Sequence, residues 1–196
     1  MKFSGMDADP HSEWRFLHGM DLPKKNWRVR VLAFTHLQPN QFMQVYLRFQ
    51  PTIASHCKFC ACSKDSLVSP MDVRDIAAVA VAVLPGAVHA GKRYVITGPE
   101  ALIYSEVAER LSAALGRNVY VDVPLEQVRK AMVDSGTPDW FVEGQMEQYQ
   151  VRLKGWQSLV IHTVMEVAKK EPDYLCAVRE GSPYFRGECE QDKATA

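Results

Sequence analysis

The chain of 196 residues has no excess of charge of either sign: 23 Lys and Arg balance 23 Asp and Glu, for a formal net charge of +0. A neutral protein sets up no field that gathers nucleic acid or an anionic membrane surface, which argues against a dedicated DNA-binding module. Long apolar runs are missing too, since no stretch reaches the roughly 18 uninterrupted apolar residues that a membrane span needs. The opening stretch from Met1 to Trp14 has one lysine followed by acidic and polar residues. It contains no apolar signal-peptide core, so the expected compartment is the cytoplasm. Cysteine is sparse and odd in number, with five in all at Cys57, Cys60, Cys62, Cys176 and Cys189. That count argues against a secreted disulfide framework in a chain large enough to own a core. What is present is 47 % apolar and 23 % charged residues, the balance of a soluble globular protein.

The most legible part runs from about residue 68 to residue 170. Asp72 is placed to cap a helix through Leu84, with Asp75 in its first turn where negative charge suits the dipole. Beyond Asp75 this helix is apolar on every face until Pro85-Gly86 stops it, a pattern that predicts an interior position, for example between a sheet and another layer. Arg93 to Ile96 reads as a strand closed by Thr97-Gly98-Pro99. Val107, Ala108, Leu111, Ala114 and Leu115 recur at helical spacing, ending at Gly116. Val119, Val121 and Val123 alternate, as in a half-buried strand. Pro124 suits the first turn of a helix closed by Ser135-Gly136, and Thr137-Pro138 opens another, which Gly155 breaks. A last helix is expected from about Ser158 to Lys170. Alternating strands and helices indicate an α/β fold.

The first 67 residues are less regular. Leu32 to Leu37 reads as a strand and Asn40 to Phe49 as a helix entered after Pro39. Two stretches have no clear period: Pro23 to Arg28, and His56 to Cys62. There is no internal repeat or low-complexity run, and the tail after Pro172 is polar and expected to fray.

Several segments together resemble the NmrA-like family of atypical short-chain dehydrogenase/reductases. Phe34-Thr35-His36-Leu37-Gln38-Pro39-Asn40-Gln41-Phe42-Met43-Gln44 is similar to a strand-to-helix junction of that family. Ser69-Pro70-Met71-Asp72-Val73-Arg74-Asp75-Ile76-Ala77 resembles one of its helix starts. Tyr94 to Leu102, followed by Tyr104-Ser105-Glu106-Val107-Ala108, looks like a third motif in the right order. The resemblance implies an NAD(P)-binding Rossmann-like protein that is either a reductase of quinones, azo dyes or related acceptors, or a dinucleotide redox sensor. It also implies a G-x-x-G-x-x-G loop, whose glycines let backbone approach the pyrophosphate at a helix N-terminus. Glycines stand here at 5, 19, 86, 91, 98, 116, 136, 144, 155, 181 and 187, and no such spacing occurs.

The expected fold class is therefore α/β, an incomplete Rossmann-like parallel sheet lacking its N-terminal strands and glycine-rich loop, with a mostly helical C-terminal subdomain. Residues 1–96 would be the remnant of the dinucleotide-binding domain, 97–170 a helical substrate or lid subdomain, and 171–196 a poorly ordered tail. Departures from the family pattern point the same way, to a truncated or altered product. Pro23 would break a helix that normally continues, a cysteine cluster replaces a polar loop, and Ile103 stands where a Ser or Thr cap is expected, worth about 1 kcal/mol.

Candidate chemistry is limited. His18 falls, by resemblance, near the catalytic positions of short-chain reductases, and imidazole relays protons near neutral pH; a polar residue near a helix start is the plainer explanation. Pro39, Asn40, Phe42 and Met43 occupy the turn that the resemblance puts beside the nicotinamide and its acceptor. A carboxamide there can hydrogen-bond a cofactor and an aromatic wall can receive a flat substrate, although a Pro-Asn turn followed by core side chains gives the same pattern. Asp72 and Asp75 are better explained by capping than as paired catalytic carboxylates. Cys57, Cys60 and Cys62 offer soft ligands for zinc, but no second pair lies nearby, so free thiols in a loop are the simpler account. Lys24 to Arg30 mixes positive charge with Trp27, as single-strand binders do, and also as ordinary solvated faces do.

Three readings stay open. One is an NAD(P)H-dependent oxidoreductase or sensor impaired as an independent binder, with a small-molecule acceptor as partner. The second is a regulatory module that binds a protein and does no redox chemistry. The third is a zinc-stabilised binding protein using the cysteine cluster.

Overall fold

The computed structural model describes residues 1–3, 5–6, 11–17, 34–56, 59–62, 66–115 and 120–172. The strands are β1 (Lys2–Phe3), β2 (His36–Pro39), β3 (Phe59–Ala61), β4 (Arg93–Ile96) and β5 (Tyr120–Asp122). The helices are α1 (Gln50–His56), α2 (Val73–Val83), α3 (Tyr104–Leu115), α4 (Leu125–Asp134) and α5 (Asp139–Leu153). Two units interleave along the chain: one takes in Met1–Phe42, Ser69–Ala101 and Leu159–Tyr174, the other Met43–Val68 and Leu102–Ser158. No helix among the described residues is long and apolar enough to cross a membrane.

The first unit is a parallel sheet in the order β1-β2-β4, with His36 opposite Arg93 and Pro39 opposite Ile96. All four residues of β2 are buried, as befits a central parallel strand covered on both faces. Leu37 and Ile96 join Met71, Ile76, Val79, Ala80, Val83 and Val164 in one apolar core. The Asp72 side chain accepts from the Arg74 backbone N–H at 2.8 Å, capping α2 as its sequence predicts, and also grips the Arg74 guanidinium. Asp75, equally buried, accepts from Lys170 Nζ at 2.6 Å. Both carboxylates therefore hold the helix in place.

Helix α2 is not wholly interior. Ile76, Val79, Ala80 and Val83 face the core, but Val81 is 68 % and Leu84 63 % exposed. The all-apolar pattern arises because its outer face carries valines and alanines where a surface helix normally has charge.

The expected helix over Ser158 to Lys170 also does not form. Residues 159–162 are irregular, and only a single π turn, Val164–Ala168, follows before Lys169 adopts φ 52°. Val160, Ile161 and Thr163 are β-branched and disfavour helix. The segment instead ties to the sheet: Thr97 Oγ1 donates to Ile161 O at 3.1 Å, Ile161 N–H donates back at 2.8 Å, and Thr163 Oγ1 donates to Val95 O at 2.6 Å.

A third difference follows β2, where a helix from Asn40 was expected. Asn40 Oδ1 instead takes the Gln41 N–H at 2.9 Å, the local side-chain competition that keeps Asn out of helices. A 3₁₀ stretch starts only at Met43 and runs into α1.

The second unit pairs β3 with β5 in parallel, so Cys60 lies on a strand and the cysteine stretch is not wholly a loop. Tyr46, Phe59 and Tyr104 are buried together, Tyr46 edge-on to both rings and Phe59 stacked on Tyr104. The missing Ser or Thr cap of α3 is partly replaced, because Glu106 reaches back to accept the Ile103 N–H at 2.9 Å. That is one half of a capping box. Glycines at positive φ, Gly136 and Gly155, terminate α4 and α5 where the sequence places breaks. Arg129 of α4 pairs with Glu143 of α5.

Gly98 has no space for a side chain, since a Cβ there would lie 1.9 Å from the Pro70 carbonyl oxygen. Gly98→Ala should lower unfolding free energy by about 1–3 kcal/mol through overpacking against backbone. Leu37→Ala should cost about 2–5 kcal/mol by opening a cavity, and Val81→Ala less than about 0.5 kcal/mol. Urea unfolding of the three variants checks this order.

Candidate functional site

Ligands of open parallel sheets bind beyond the carboxyl ends of the strands. In the first unit those ends are Gly5 after β1, Asn40 to Phe42 after β2, and Thr97-Gly98 after β4. Gln38 Nε2 donates to Gly5 O at 3.4 Å. Asn40 continues the ladder, its N–H donating to Ile96 O at 2.9 Å, and its buried side chain turns to the loop before α2. There Asn40 Nδ2 donates to Ser69 Oγ at 2.6 Å, while Ser69 Oγ donates to Leu159 O at 2.6 Å. Ser69 is fully buried. Gly98 N–H donates to Ser69 O at 3.1 Å, and Met71 N–H to Gln41 O at 2.9 Å. Among the described residues, neutral donors and acceptors thus cross-link five stretches of chain at the end of the sheet.

The residues expected from the sequence divide among these places. Pro39 ends β2 and is buried; Asn40 is part of the junction just described. Phe42 bridges to Met71 and keeps 39 % of its surface exposed, the one candidate on this edge with an accessible apolar face. Met43 is buried and opens the second unit. His18 lies outside the described residues. Leu17, the residue before it, is buried in a short helical stretch at 15–17.

Ser69, Thr97 and Thr163 were not singled out from the sequence. Each is a small hydroxyl residue, Ser69 and Thr97 inside the quoted motifs and Thr163 outside them, and its position before Pro70, before Gly98 or after the β-branched pair is the available signal. Hydroxyls at strand ends satisfy backbone groups that the sheet leaves open.

In the second unit, Arg152 is buried with its guanidinium 5.1 Å from the Tyr104 ring centre and 5.4 Å from that of Tyr149. Its Nε donates to Gln157 Oε1 at 2.7 Å. Cys62 hydrogen-bonds Tyr149, and burial pushes both acidic groups up from their usual values. Among the described residues no group of three His, Cys, Asp or Glu stands ready to hold a metal; Cys57 is outside them.

A raised thiol pKa leaves less thiolate at a given pH, so Cys62 should alkylate more slowly than an exposed cysteine at pH 8 and gain rate only at higher pH. Iodoacetamide labelling followed by peptide mass spectrometry over pH 7–10 checks this. Rates equal to those of a cysteine peptide at every pH would contradict the burial argument.

No family model matches the chain. It is 39 % identical over 165 residues to an NAD(P)H azoreductase of Xenophilus azovorans, covering 84 % of this chain and 58 % of the relative. A (4-alkanoyl-5-oxo-2,5-dihydrofuran-3-yl)methyl phosphate reductase of Streptomyces griseus is 33 % identical over 137 residues, 69 % of this chain and 48 % of its own. The chain thus spans about half of the curated relatives it matches. Among solved structures, an NADPH-dependent quinone oxidoreductase of Escherichia coli superposes with a TM-score of 0.78 at 21 % identity, covering 93 % of this chain and 63 % of that one. A triphenylmethane reductase of Citrobacter gives 0.74 at 18 %, with 92 % and 63 % covered. These structures share the Rossmann-like fold. With the three ordered motifs, the azoreductase identity and this fold in agreement, the chain belongs to the NmrA-like family of atypical short-chain dehydrogenase/reductases.

Proposed function

We propose that the chain is part of an NAD(P)H-dependent oxidoreductase that reduces a flat azo- or quinone-type acceptor in the cytoplasm. The observation that carries this reading is the 39 % identity to an NAD(P)H azoreductase over 84 % of the chain. When bound, the dinucleotide supplies the hydride. The residues present suit its nicotinamide end: Pro39 and Asn40 finish β2, the carboxamide is held in a defined place, and Phe42 offers an apolar face to an aromatic acceptor. Met43 belongs to the same motif and packs into the second unit. His18 is the proton relay of this reading.

The pyrophosphate is a different matter. No G-x-x-G-x-x-G spacing exists among these residues, and the described side chains that hydrogen-bond at the sheet's carboxyl end, Gln38, Asn40, Ser69 and Thr97, are neutral. A polypeptide of these 196 residues therefore binds NAD(P)H weakly, with its affinity carried by the nicotinamide end.

The uncharged outer face of α2 favours a second reading, a regulatory module that docks on a protein and does no redox chemistry. Val73 and Val81 on the helix and Leu84 at its end are all exposed, and exposed apolar patches mark interaction surfaces.

Calorimetric titration with NADPH and NADP⁺ and a dye-reduction assay separate these readings. The first predicts a dissociation constant near 1 mM, about −4 kcal/mol, with slow NADPH-dependent loss of azo-dye colour. Micromolar binding would overturn the claim of weak binding. No saturable binding and no dye reduction at 10 mM NADPH, about ten times that constant, in a folded protein would favour the interaction module.

A further inference from the structure

The buried hydroxyl of Ser69 has one proton to give and lies between two polar groups. It donates that proton to Leu159 O at 2.6 Å, so towards Asn40 Nδ2, also at 2.6 Å, it accepts. The other end of the same carboxamide, Asn40 Oδ1, accepts the Gln41 N–H at 2.9 Å. Turning the carboxamide over would set Asn40 Oδ1 against a hydroxyl oxygen whose proton is engaged. It would also set Asn40 Nδ2 against the Gln41 N–H, so that both contacts become repulsive. The two ends of the Asn40 side chain are thus assigned by their partners, and one assignment depends on the Leu159 carbonyl, which is 119 residues further along the chain by the numbering.

We infer that Ser69 is a positioning residue: it fixes the Asn40 carboxamide, and with it the turn from Asn40 to Phe42 that the proposed function sets beside a nicotinamide, using the Leu159 carbonyl as its reference. This rests on the proposal that the carboxyl end of β2 faces the nicotinamide. Ser69 touches no ligand in this account and acts through Asn40. The hydroxyl is what the role needs, because it both donates and accepts, and neither Ala nor a longer amide can do that in the same volume. Thr97 holds the neighbouring backbone at Ile161, and the Ile161 N–H serves as an internal control.

The test is heteronuclear NMR of the full chain, following the Asn40 side-chain NH₂ signals and titrating with up to 10 mM NADPH, about ten times the millimolar constant proposed above. In the wild type the two Asn40 amide protons should be sharp, well separated and slow to exchange with water at pH 7. In S69A they should broaden and exchange at least about tenfold faster, with the Ile161 backbone N–H unchanged and NADPH affinity lowered about tenfold. S69C keeps the side-chain volume and gives up the strong hydrogen bonds; it should behave as S69A does, and takes its place if S69A does not fold.

Wild-type Asn40 protons that exchange freely would overturn the inference without any variant. So would Asn40 signals and NADPH affinity unchanged in S69A, or equal loss of protection at Ile161, which would mark Ser69 as a general structural tie. If wild-type Asn40 ignores NADPH while its signals still respond to S69A, the placement of the nicotinamide is what fails, and the use of Ser69 towards a dinucleotide fails with it.

Discussion

Gly98 sits so close to the Pro70 carbonyl that no side chain fits between them, and the carboxyl end of the first unit is organised around that approach. It brings the loop before α2 against the end of β4 and lets Gly98 N–H reach Ser69 O. With Ser69 fixed there, its hydroxyl can reach both Asn40 at the end of β2 and the Leu159 carbonyl. One residue further along, Pro70 is followed by Met71, which bonds Gln41 and enters the core. The polar junction and the apolar core therefore share a backbone, and neither is positioned without the other.

Helix α2 depends on the same loop. Asp72 is completely buried, and a buried carboxylate is tolerable only where donors surround it; the Arg74 N–H and guanidinium supply them. Asp75 is answered from the far end of the chain by Lys170. These two acids fix the start of α2 and the π turn that packs on it, so that Ile76, Val79 and Val83 meet Leu37 and Ile96. The second unit reaches its order by another route. Its aromatic rings pack on one another, and Arg152 is accommodated between the faces of Tyr104 and Tyr149 with its charge spread over them.

Where the sequence is legible, short-range physics decides the structure. The Asp72 cap, the strand Arg93–Ile96 and the glycine stops at 136 and 155 are local choices, and all are found. One failure is local, the Asn40 side chain taking the Gln41 N–H, and another lies where side chains from elsewhere decide. Beyond the β-branching at Val160, Ile161 and Thr163, nothing local shows that Ser69 and Thr97 will bond the Leu159 and Ile161 backbone, so the stretch before Lys170 reads as helix. The exposed face of α2 misleads for a related reason: an apolar residue is informative about burial only when its alternatives are charged, and from Ile76 to Val88 there are none. Of the candidate site, Asn40 and Phe42 are visible because they sit in a motif. Ser69 also opens a motif, but its role is not legible there, because it exists only once three segments have met.

The chemistry of the sheet's carboxyl end also underlies the weak dinucleotide binding proposed above. Asn40, Ser69, Thr97 and the Leu159–Ile161 backbone are neutral, and much of their hydrogen-bonding capacity is spent on one another. A neutral hydrogen bond nets about 0.5–1.5 kcal/mol, so two or three of them with one aromatic contact yield only a few kcal/mol. That is enough to choose the face and orientation of a ring already delivered, and too little to hold a dinucleotide against the entropy of association. Affinity for such a ligand comes mainly from its phosphates, through backbone N–H groups at a helix N-terminus. Orientation and affinity are thus separable tasks, and in the proposed function the groups arranged here serve the first.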